Sequence, residues 1–372
     1  MSSRRSRRTP RGLARRVMGA VGALAAVTVL LMTAPASPVR ADSQATDGSE
    51  AQAATAALQQ WYNASNGQFN TTGWWNSANA LNAIIDYTAR TGDTSYVGDL
   101  GNSFTVNAGG GFLNGFYDDE GWWALTWINA YDLTGDPRYL SMAKSIFADM
   151  AGGWDSTCTG GIWWNKARTY KNAIANELFL TVAIRLHQRT PGDQQYLSWA
   201  NREWTWFQQT GMINSQGLIN DGIDLTTCQN NRGTVWSYNQ GVILGGLTDL
   251  YRSTLNPAYL TQAESIATAA TRNLVNSGGI LRDPCEPSGC GNDGPQFKGI
   301  FMRNLFYLYR VDHGQAYLRF IQKNAASIWA NDRNGQDQLG LVWAGPFDKA
   351  DASRQSSALD ALNAALPVSP VP

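Results

Sequence analysis

The chain has 372 residues, with 29 Lys+Arg against 29 Asp+Glu, 43% hydrophobic and 16% charged residues. Such a composition excludes a disordered chain and supplies apolar surface for one large domain or two of average size. Fifteen Trp beside only two His exclude a multi-histidine metal centre and leave little for a Ser-His-Asp triad. A tryptophan load of this size calls for a large core or a ligand with apolar faces, as sugars have.

Residues 1–41 hold eight arginines and no acid, and seven of them precede an apolar run from Val17 to Met32. Pro35, Pro38 and the triplet Val39-Arg40-Ala41 follow. This is the layout of an export signal cleaved after Ala41, and the continuous apolar run is short for a membrane span. Arg15-Arg16 permits a twin-arginine route beside the general secretory one. Cleavage leaves 21 basic and 29 acidic groups, net −8, which gives no electrostatic footprint for nucleic acid or an anionic membrane. Residues 42–48 read as a short tail, 49–366 as one domain and 367–372 as a frayed C-terminus.

Within 49–366 one unit recurs: a helix-patterned stretch, a polar turn, a tyrosine and a second helical stretch. The turns are Thr91-Gly-Asp-Thr-Ser-Tyr96, Thr134-Gly-Asp-Pro-Arg-Tyr139 and Pro191-Gly-Asp-Gln-Gln-Tyr196, with looser copies ending at Tyr259 and Tyr317. The tyrosines are 43, 57, 63 and 58 residues apart, the size of a helical hairpin plus a long loop. Trp123, Leu125, Trp127, Ile128, Tyr131 and Leu133 show the apolar helical spacing before a turn; Leu140–Met150 and Ala258–Leu274 are amphipathic runs after one. Five hairpins give ten helices. Two unpaired segments, Ser49–Tyr62 and Ser353–Leu366, would pair to close a toroid of six helical hairpins, an all-α fold with no β domain.

The loop entering each hairpin is rich in aromatic and amide residues: Trp74-Trp75-Asn76, Phe116-Tyr117-Asp118-Asp119, Trp163-Trp164-Asn165, Trp236-Ser-Tyr238-Asn239-Gln240, Asn292-Asp293 to Phe297-Lys298, and Trp343 to Phe347. All six should share one end of the toroid and line one cleft. Within it Asp118, Asp119 and Glu120 stand in a row at a helix start. Capping accounts for one acid there, not for two adjacent ones beside a glycine-rich loop and four aromatics. Neighbouring carboxylates repel, so one holds its proton while the other ionises, the division of labour that glycoside cleavage needs. A retaining mechanism requires carboxyls about 5–5.5 Å apart, which neighbours in a turn can reach; the wider spacing of an inverting mechanism is harder for them. His187 and His313 sit at a helix end and in a turn, and there is no nucleophile elbow, phosphate loop or EF-hand pattern.

The four cysteines, Cys158, Cys228, Cys285 and Cys290, suit an oxidising compartment. A short bridge can close Cys285-Glu-Pro-Ser-Gly-Cys290, leaving Cys158 to pair with Cys228, although four cysteines allow three connectivities. Zinc-type Cys-x-x-Cys spacing is absent.

The run Tyr117-Asp118-Asp119-Glu120-Gly-Trp122-Trp123-Ala124-Leu125 resembles the paired-aspartate motif of glycoside hydrolase family 76, the endo-α-1,6-mannanases. Four further segments resemble the same family in the same order: Lys171-Asn172 to Asn176-Glu177-Leu178-Phe179, Leu218 to Asp221-Gly222, Trp236 to Gly241, and Phe297-Lys298-Gly299-Ile300-Phe301. The likeness covers about residues 50–350. It implies an (α/α)6 toroid and retaining hydrolysis of α-1,6-mannan, with Asp118 as nucleophile and Asp119 as general acid/base. By the same likeness Asp221, Tyr238, Asn239 and Gln240 belong to the substrate cleft; Lys298 is expected to join them, and sugar rings to stack on some of Trp74, Trp75, Trp122, Trp164, Trp236 and Phe297. No metal or cofactor is implied, and the expected partner is the polysaccharide, bound by a secreted monomer. Gly121 departs from the pattern, where Ala or another helix former is expected. A glycan-binding protein without catalysis, a transglycosidase and another toroid polysaccharide enzyme remain the rival readings.

Overall fold

The computed structural model describes residues 39–367. The expected export signal therefore lies outside the described residues except for Val39–Ala41, as does the C-terminal tail beyond Pro367. Twelve α-helices are described: α1 (Val39–Gln59), α2 (Trp74–Thr91), α3 (Gly98–Asn107), α4 (Tyr117–Thr134), α5 (Pro137–Ala151) and α6 (Ala173–Gln188), followed by α7 (Gln195–Gln209), α8 (Ser237–Thr254), α9 (Pro257–Asn273), α10 (Phe297–Asp312), α11 (Gln315–Asn331) and α12 (Ala352–Ala365).

The even-numbered helices form a closed inner ring, each packed on the next, with α12 returning to α2. The odd-numbered helices bury one face against it; α5, for example, buries Tyr139, Ala143, Ile146, Phe147 and Met150. This is the (α/α)6 toroid. Inner helices are buried on most sides because they have neighbours all round, and they carry buried polar residues such as Asn79 and Asn82 of α2 among the apolar ones. α12 is the exception in composition. It is rich in Ala, Ser and Asn, yet every residue from Ala352 to Ala365 is buried. Small side chains let it approach closely: a Cβ on Gly299 of α10 would lie 2.4 Å from the Ser357 carbonyl oxygen. Closure differs slightly from the expected pairing of terminal helices. α12 seals the inner ring against α2, where Asn363 Nδ2 donates to the Ala83 carbonyl at 2.9 Å. α1 joins from outside, its Ala54 carbonyl accepting from Gln355 Nε2 at 2.8 Å.

The recurring turns have a simple cause. Gly92 and Gly135 take the left-handed conformation that ends α2 and α4, and their N–H groups bond to the carbonyls of Thr88 and Tyr131 at 2.8 Å. The next helix then starts at a capped proline: Asp136 accepts from Arg138 N at 2.9 Å with Pro137 in the first turn, and Asn256 serves Ala258 behind Pro257 in the same way. Tyr139, the repeat's tyrosine, lays its ring on Trp127 at 5.2 Å, tying outer helix to inner helix.

One expectation shifts, and two readings are filled in. α1 starts at Val39 instead of Ser49, so residues 42–48, read as a tail, are helical; no proline interrupts them. Strands do occur, as two two-residue hairpins in loops: β1 (Tyr62–Asn63) with β2 (Gln68–Phe69), and β3 (Ile223–Asp224) with β4 (Gln229–Asn230). Gly121 is explained by packing: a Cβ there would stand 2.8 Å from Leu178 Cβ and 3.0 Å from Met150 Cε, so glycine lets α4 approach α6. The disulfides join Cys158 to Cys228 and Cys285 to Cys290, with Cα–Cα distances of 5.1 and 4.9 Å. Among the described residues no helix is long and apolar enough to cross a membrane.

Candidate active site

The N-terminal ends of the inner helices converge on a cleft of about 410 Å³. Its lining is Trp75, Phe116, Asp118, Asp119, Trp122, Trp164, Tyr170, Asn172, Asp221, Tyr238, Asp293 and Phe297. Four of these are aspartates and none is Lys or Arg.

Neighbouring loops are stitched together so that side chains from separate helices meet. Tyr117 N donates to the Trp164 carbonyl and Lys166 N to the Gly115 carbonyl, both at 2.9 Å, which fixes the loop before α6 against the start of α4. Ala173 N donates to the Asp221 carbonyl at 2.7 Å and brings in the loop before α8. The buried Lys171 ammonium shapes the loop from beneath, reaching Asp155 at 2.9 Å and the carbonyls of Thr157, Gly160 and Gly161.

The three consecutive acids divide in two directions. Glu120 is fully buried and turns away to Lys166 at 2.7 Å, which also holds Asp149 at 2.9 Å. Asp118 and Asp119 face the cleft. Trp164 Nε1 donates to Asp118 Oδ2 at 3.0 Å, and Asn114 Nδ2 donates to Asp119 Oδ2 at 2.6 Å. The first turn of α4 has no side-chain cap, which leaves its amides to favour carboxylates there.

Burial pushes Asp118 well above the usual carboxylate range, and the charge of Asp119 adds to it. Burial likewise raises Asp119 to about 6, opposed by the Asn114 hydrogen bond and reinforced by Asp293. Two carboxyls so placed titrate together and share a single proton over the intervening range. Glu120 is raised to about 8 by burial, against the pull of Lys166. Asp221 is also raised by burial, opposed by hydrogen bonds from Tyr170 and Trp236; Tyr170 OH donates to Asp221 Oδ2 at 2.8 Å.

Aromatic rings form a continuous wall. Trp75 stacks on Trp122 at 5.6 Å and on Phe297 at 6.3 Å, and Phe297 stacks on Tyr238 at 3.9 Å. Trp236 meets Phe297 edge-on at 5.5 Å. Across the cleft Phe116 leans on Trp164 at 5.0 Å.

Of the residues singled out in the sequence, Asp118, Asp119, Trp75, Trp122, Trp164, Asp221, Tyr238 and Phe297 line this cleft, and Trp236 backs it. Four others do not line it. Trp74 turns into the core against Trp123 at 4.7 Å and Phe112 at 6.0 Å. Asn239 is fully buried within α8. Gln240 clamps the backbone of Ile219 through both its amide oxygen and nitrogen, at 2.8 and 2.9 Å. Lys298 is buried against Glu286 at 2.7 Å and the Leu341 carbonyl at 2.7 Å, beneath the Trp343 ring. Helical periodicity explains these four: consecutive residues of one helix point about 100° apart, so a motif puts only some members into the cleft. The sixth loop contributes none of the lining residues, since Trp343 packs over Lys298. Tyr170 lines the cleft without having been singled out, although it directly precedes the Lys171-Asn172 motif; Asp293 lines it too, named in the sequence only within its entrance loop and given no role there.

The model of glycosyl hydrolase family 76 matches residues 47–369. A putative mannan endo-1,6-alpha-mannosidase of Schizosaccharomyces pombe is 29% identical over 304 residues, 73% of this chain and 68% of that protein. The mannan endo-1,6-alpha-mannosidase DCW1 of Candida albicans is 30% identical over 262 residues, 62% of this chain and 57% of that protein. This chain thus spans little more than half the length of the second relative. Among solved structures, an inactive variant of the alpha-1,6-mannanase GH76A of Salegentibacter sp. HEL1_6, in complex with alpha-1,6-mannotetrose, superposes with a TM-score of 0.78. It is 26% identical, and the match covers 86% of this chain and 98% of that one. With the family model matched over nearly all the described residues, and the aspartate pair set in an aromatic cleft at one end of the toroid, the chain belongs to glycosyl hydrolase family 76.

Proposed function

We propose that the protein is an endo-acting glycoside hydrolase that cleaves α-1,6-mannosidic linkages with retention of configuration, and that residues 1–41 export it from the cell. The observation that carries this reading is the pair Asp118 and Asp119, each held by its own donor, in an aromatic cleft lined by no Lys or Arg. Such a cleft suits a neutral polysaccharide and disfavours a polyanion. The Salegentibacter enzyme supports both halves: its inactive variant has two adjacent aspartates changed to alanine and holds an α-1,6-linked mannose oligomer.

The reactive form carries the shared proton on Asp119; the Trp164 hydrogen bond favours the ionised form of Asp118, against its burial. In the first step ionised Asp118 attacks the anomeric carbon, while that proton passes from Asp119 to the departing glycosidic oxygen. A covalent mannosyl-enzyme results. Asp119, now ionised, takes a proton from water, which displaces Asp118 and restores the starting state. Asp118 keeps its orientation through Trp164, and the sugar faces pack on the rings of Trp75, Trp122 and Phe297. Asp221, fixed by Tyr170, offers an acceptor to sugar hydroxyls.

The test is product analysis on linear α-1,6-mannan beside β-mannan and α-1,6-glucan, with the first-formed anomer read by NMR. Release of α-configured oligosaccharides from α-1,6-mannan alone is the expected result. Cleavage of only the other two polymers overturns the substrate, and release of the β anomer overturns the retaining mechanism.

A further inference from the structure

Asp293 is the one cleft carboxylate with no part in the mechanism above and no place in the five motifs of the family resemblance. Its Oδ1 accepts from Trp75 Nε1 at 2.9 Å, joining the first turn of α2 to the loop before α10. That loop is held by the short disulfide: a Cβ on Gly294, the next residue, would stand 2.8 Å from Cys290 Cβ and 3.3 Å from Cys285 Sγ. A rigid support therefore runs from the Cys285–Cys290 bridge through Asp293 to the Trp75 indole. Trp75 is also wedged between Trp122 and Phe297, so its orientation is fixed on three sides.

The two catalytic candidates differ in their surroundings. Asp118 is bonded towards the loop before α6 through Trp164, whereas Asp119 is bonded to Asn114 in the segment that returns from α3 to α4, and Trp75 belongs to α2, the neighbour of α4 opposite α6 in the ring. Resting on the reading that Asp119 protonates the departing oxygen, the sugar that carries this oxygen lies on the side of Asp293 and Trp75. We propose that Trp75, held by Asp293, is the platform for the leaving-group sugar and for the acceptor that replaces it. Asp293 is then a positioning residue that sets how well an acceptor sugar competes with water for the mannosyl-enzyme. An indole free to swing loses stacking area, and the acceptor loses its hold while water does not.

The experiment uses the full chain and its Asp293→Ala, Asp293→Asn and Trp75→Phe variants. Each is assayed on α-1,6-mannotetraose, with and without added α-1,6-mannobiose, and on an oligomannosyl fluoride, whose leaving group has no ring. For Asp293→Ala the KM on the tetraose rises about fivefold and the transfer-to-hydrolysis ratio falls about fivefold, as expected for one lost aromatic stacking contact. Turnover of the fluoride stays within about twofold, because that substrate leaves the platform empty. Asp293→Asn keeps an oxygen for Trp75 Nε1 and restores the wild-type ratio; Trp75→Phe lacks the donor and behaves like Asp293→Ala. Equal losses on tetraose and fluoride, or an unchanged transfer ratio in Asp293→Ala, overturn the proposal while leaving the mannanase reading intact. A wild-type chain that turns over neither substrate overturns that reading, and this proposal with it.

Discussion

The two ends of the toroid solve opposite electrostatic problems. At the N-terminal end of the inner helices the cleft gathers Asp118, Asp119, Asp221 and Asp293 with no lining Lys or Arg. At the C-terminal end a second cavity, of about 450 Å³, is lined by Arg185, Arg189, Arg303 and Arg310 with Asp86 and Asp132. The signs follow the helix dipoles, which favour acids at N-termini and cations at C-termini. The pairing does not. Arg185 binds Asp249 at 3.0 Å, Arg303 binds Asp360 at 3.0 Å, and Arg189 binds Asp132, so three of the four arginines are held in ion pairs. The aspartate end has amide, indole and phenol donors but no cation, which keeps one proton available on the central pair. Trp122 touches both cavities and divides them.

If the ends differ in this way, breaking each should fail differently. The largest effect is expected at the cleft. Asp118→Asn or Asp119→Asn should lower kcat on α-1,6-mannan by about 10³-fold or more, in steady-state assays. Because each change relieves the cost of holding two buried carboxyls with one charge between them, unfolding in urea at pH 7.5 should show the variants slightly more stable than wild type, by about 1 kcal/mol. A loss of stability instead would mean that the pair is structural. At the far end, Arg185→Met takes the nearer of two guanidinium groups from the fully buried Asp249, leaving Arg252 at 3.8 Å. It should cost about 3 kcal/mol in urea unfolding while mannanase kcat stays within about twofold of wild type.

Acidity offers a finer test. Folding raises Asp119 to about 6 and Glu120 to about 8, so the folded chain binds these protons more tightly than the unfolded one. Their contribution is fully present at acid pH, below the unfolded values near 4, and is lost as pH rises through 6 to 8. Urea midpoints should therefore fall between pH 5.5 and pH 8, and Glu120→Gln should flatten the upper part of that fall. Activity moves the other way at the acid side, decreasing below about pH 6 as the pair takes up its second proton. The smallest effect is expected for Gly121→Ala. Helix propensity favours the change by up to about 1 kcal/mol, but the contact with Leu178 opposes it, and a net loss of about 1 kcal/mol in urea unfolding is expected.

Much of the architecture could be read from the chain because its causes are local. Gly92 and Gly135 end helices, Asp136-Pro137 and Asn256-Pro257 start them, and Tyr139 repeats where an outer helix meets an inner one. Such signals recur every 43 to 63 residues and survive without knowledge of the partner surfaces. The site was legible in part for the same reason. Asp118 and Asp119 stand in one first turn, so their closeness is a property of two consecutive residues. Trp74 and Trp75 show where that logic stops: they are neighbours in sequence, yet one packs on Trp123 and the other faces the cleft. Helix phase relative to the ring decides this, and phase depends on contacts with α4 and α12.

Asp293 belongs wholly to the second kind. Its neighbours in sequence are a glycine-rich, disulfide-closed loop, and its partner Trp75 is 218 residues away. Its loop could be read as one that enters a hairpin at the cleft, but nothing local marks its carboxylate as the partner of Trp75. The sequence by itself determined the helical hairpins, their number, the end of the toroid that gathers the aromatic loops and the closeness of the acid pair, because dipoles, caps and periodicity act within a turn or two of chain. Tertiary structure alone decided which aromatics line the cleft, that Lys298 and Gln240 turn to backbone groups away from it, and that Gly121 is there for Leu178. These outcomes rest on close packing between residues far apart in the chain, where an ångström of approach determines which side chain fits.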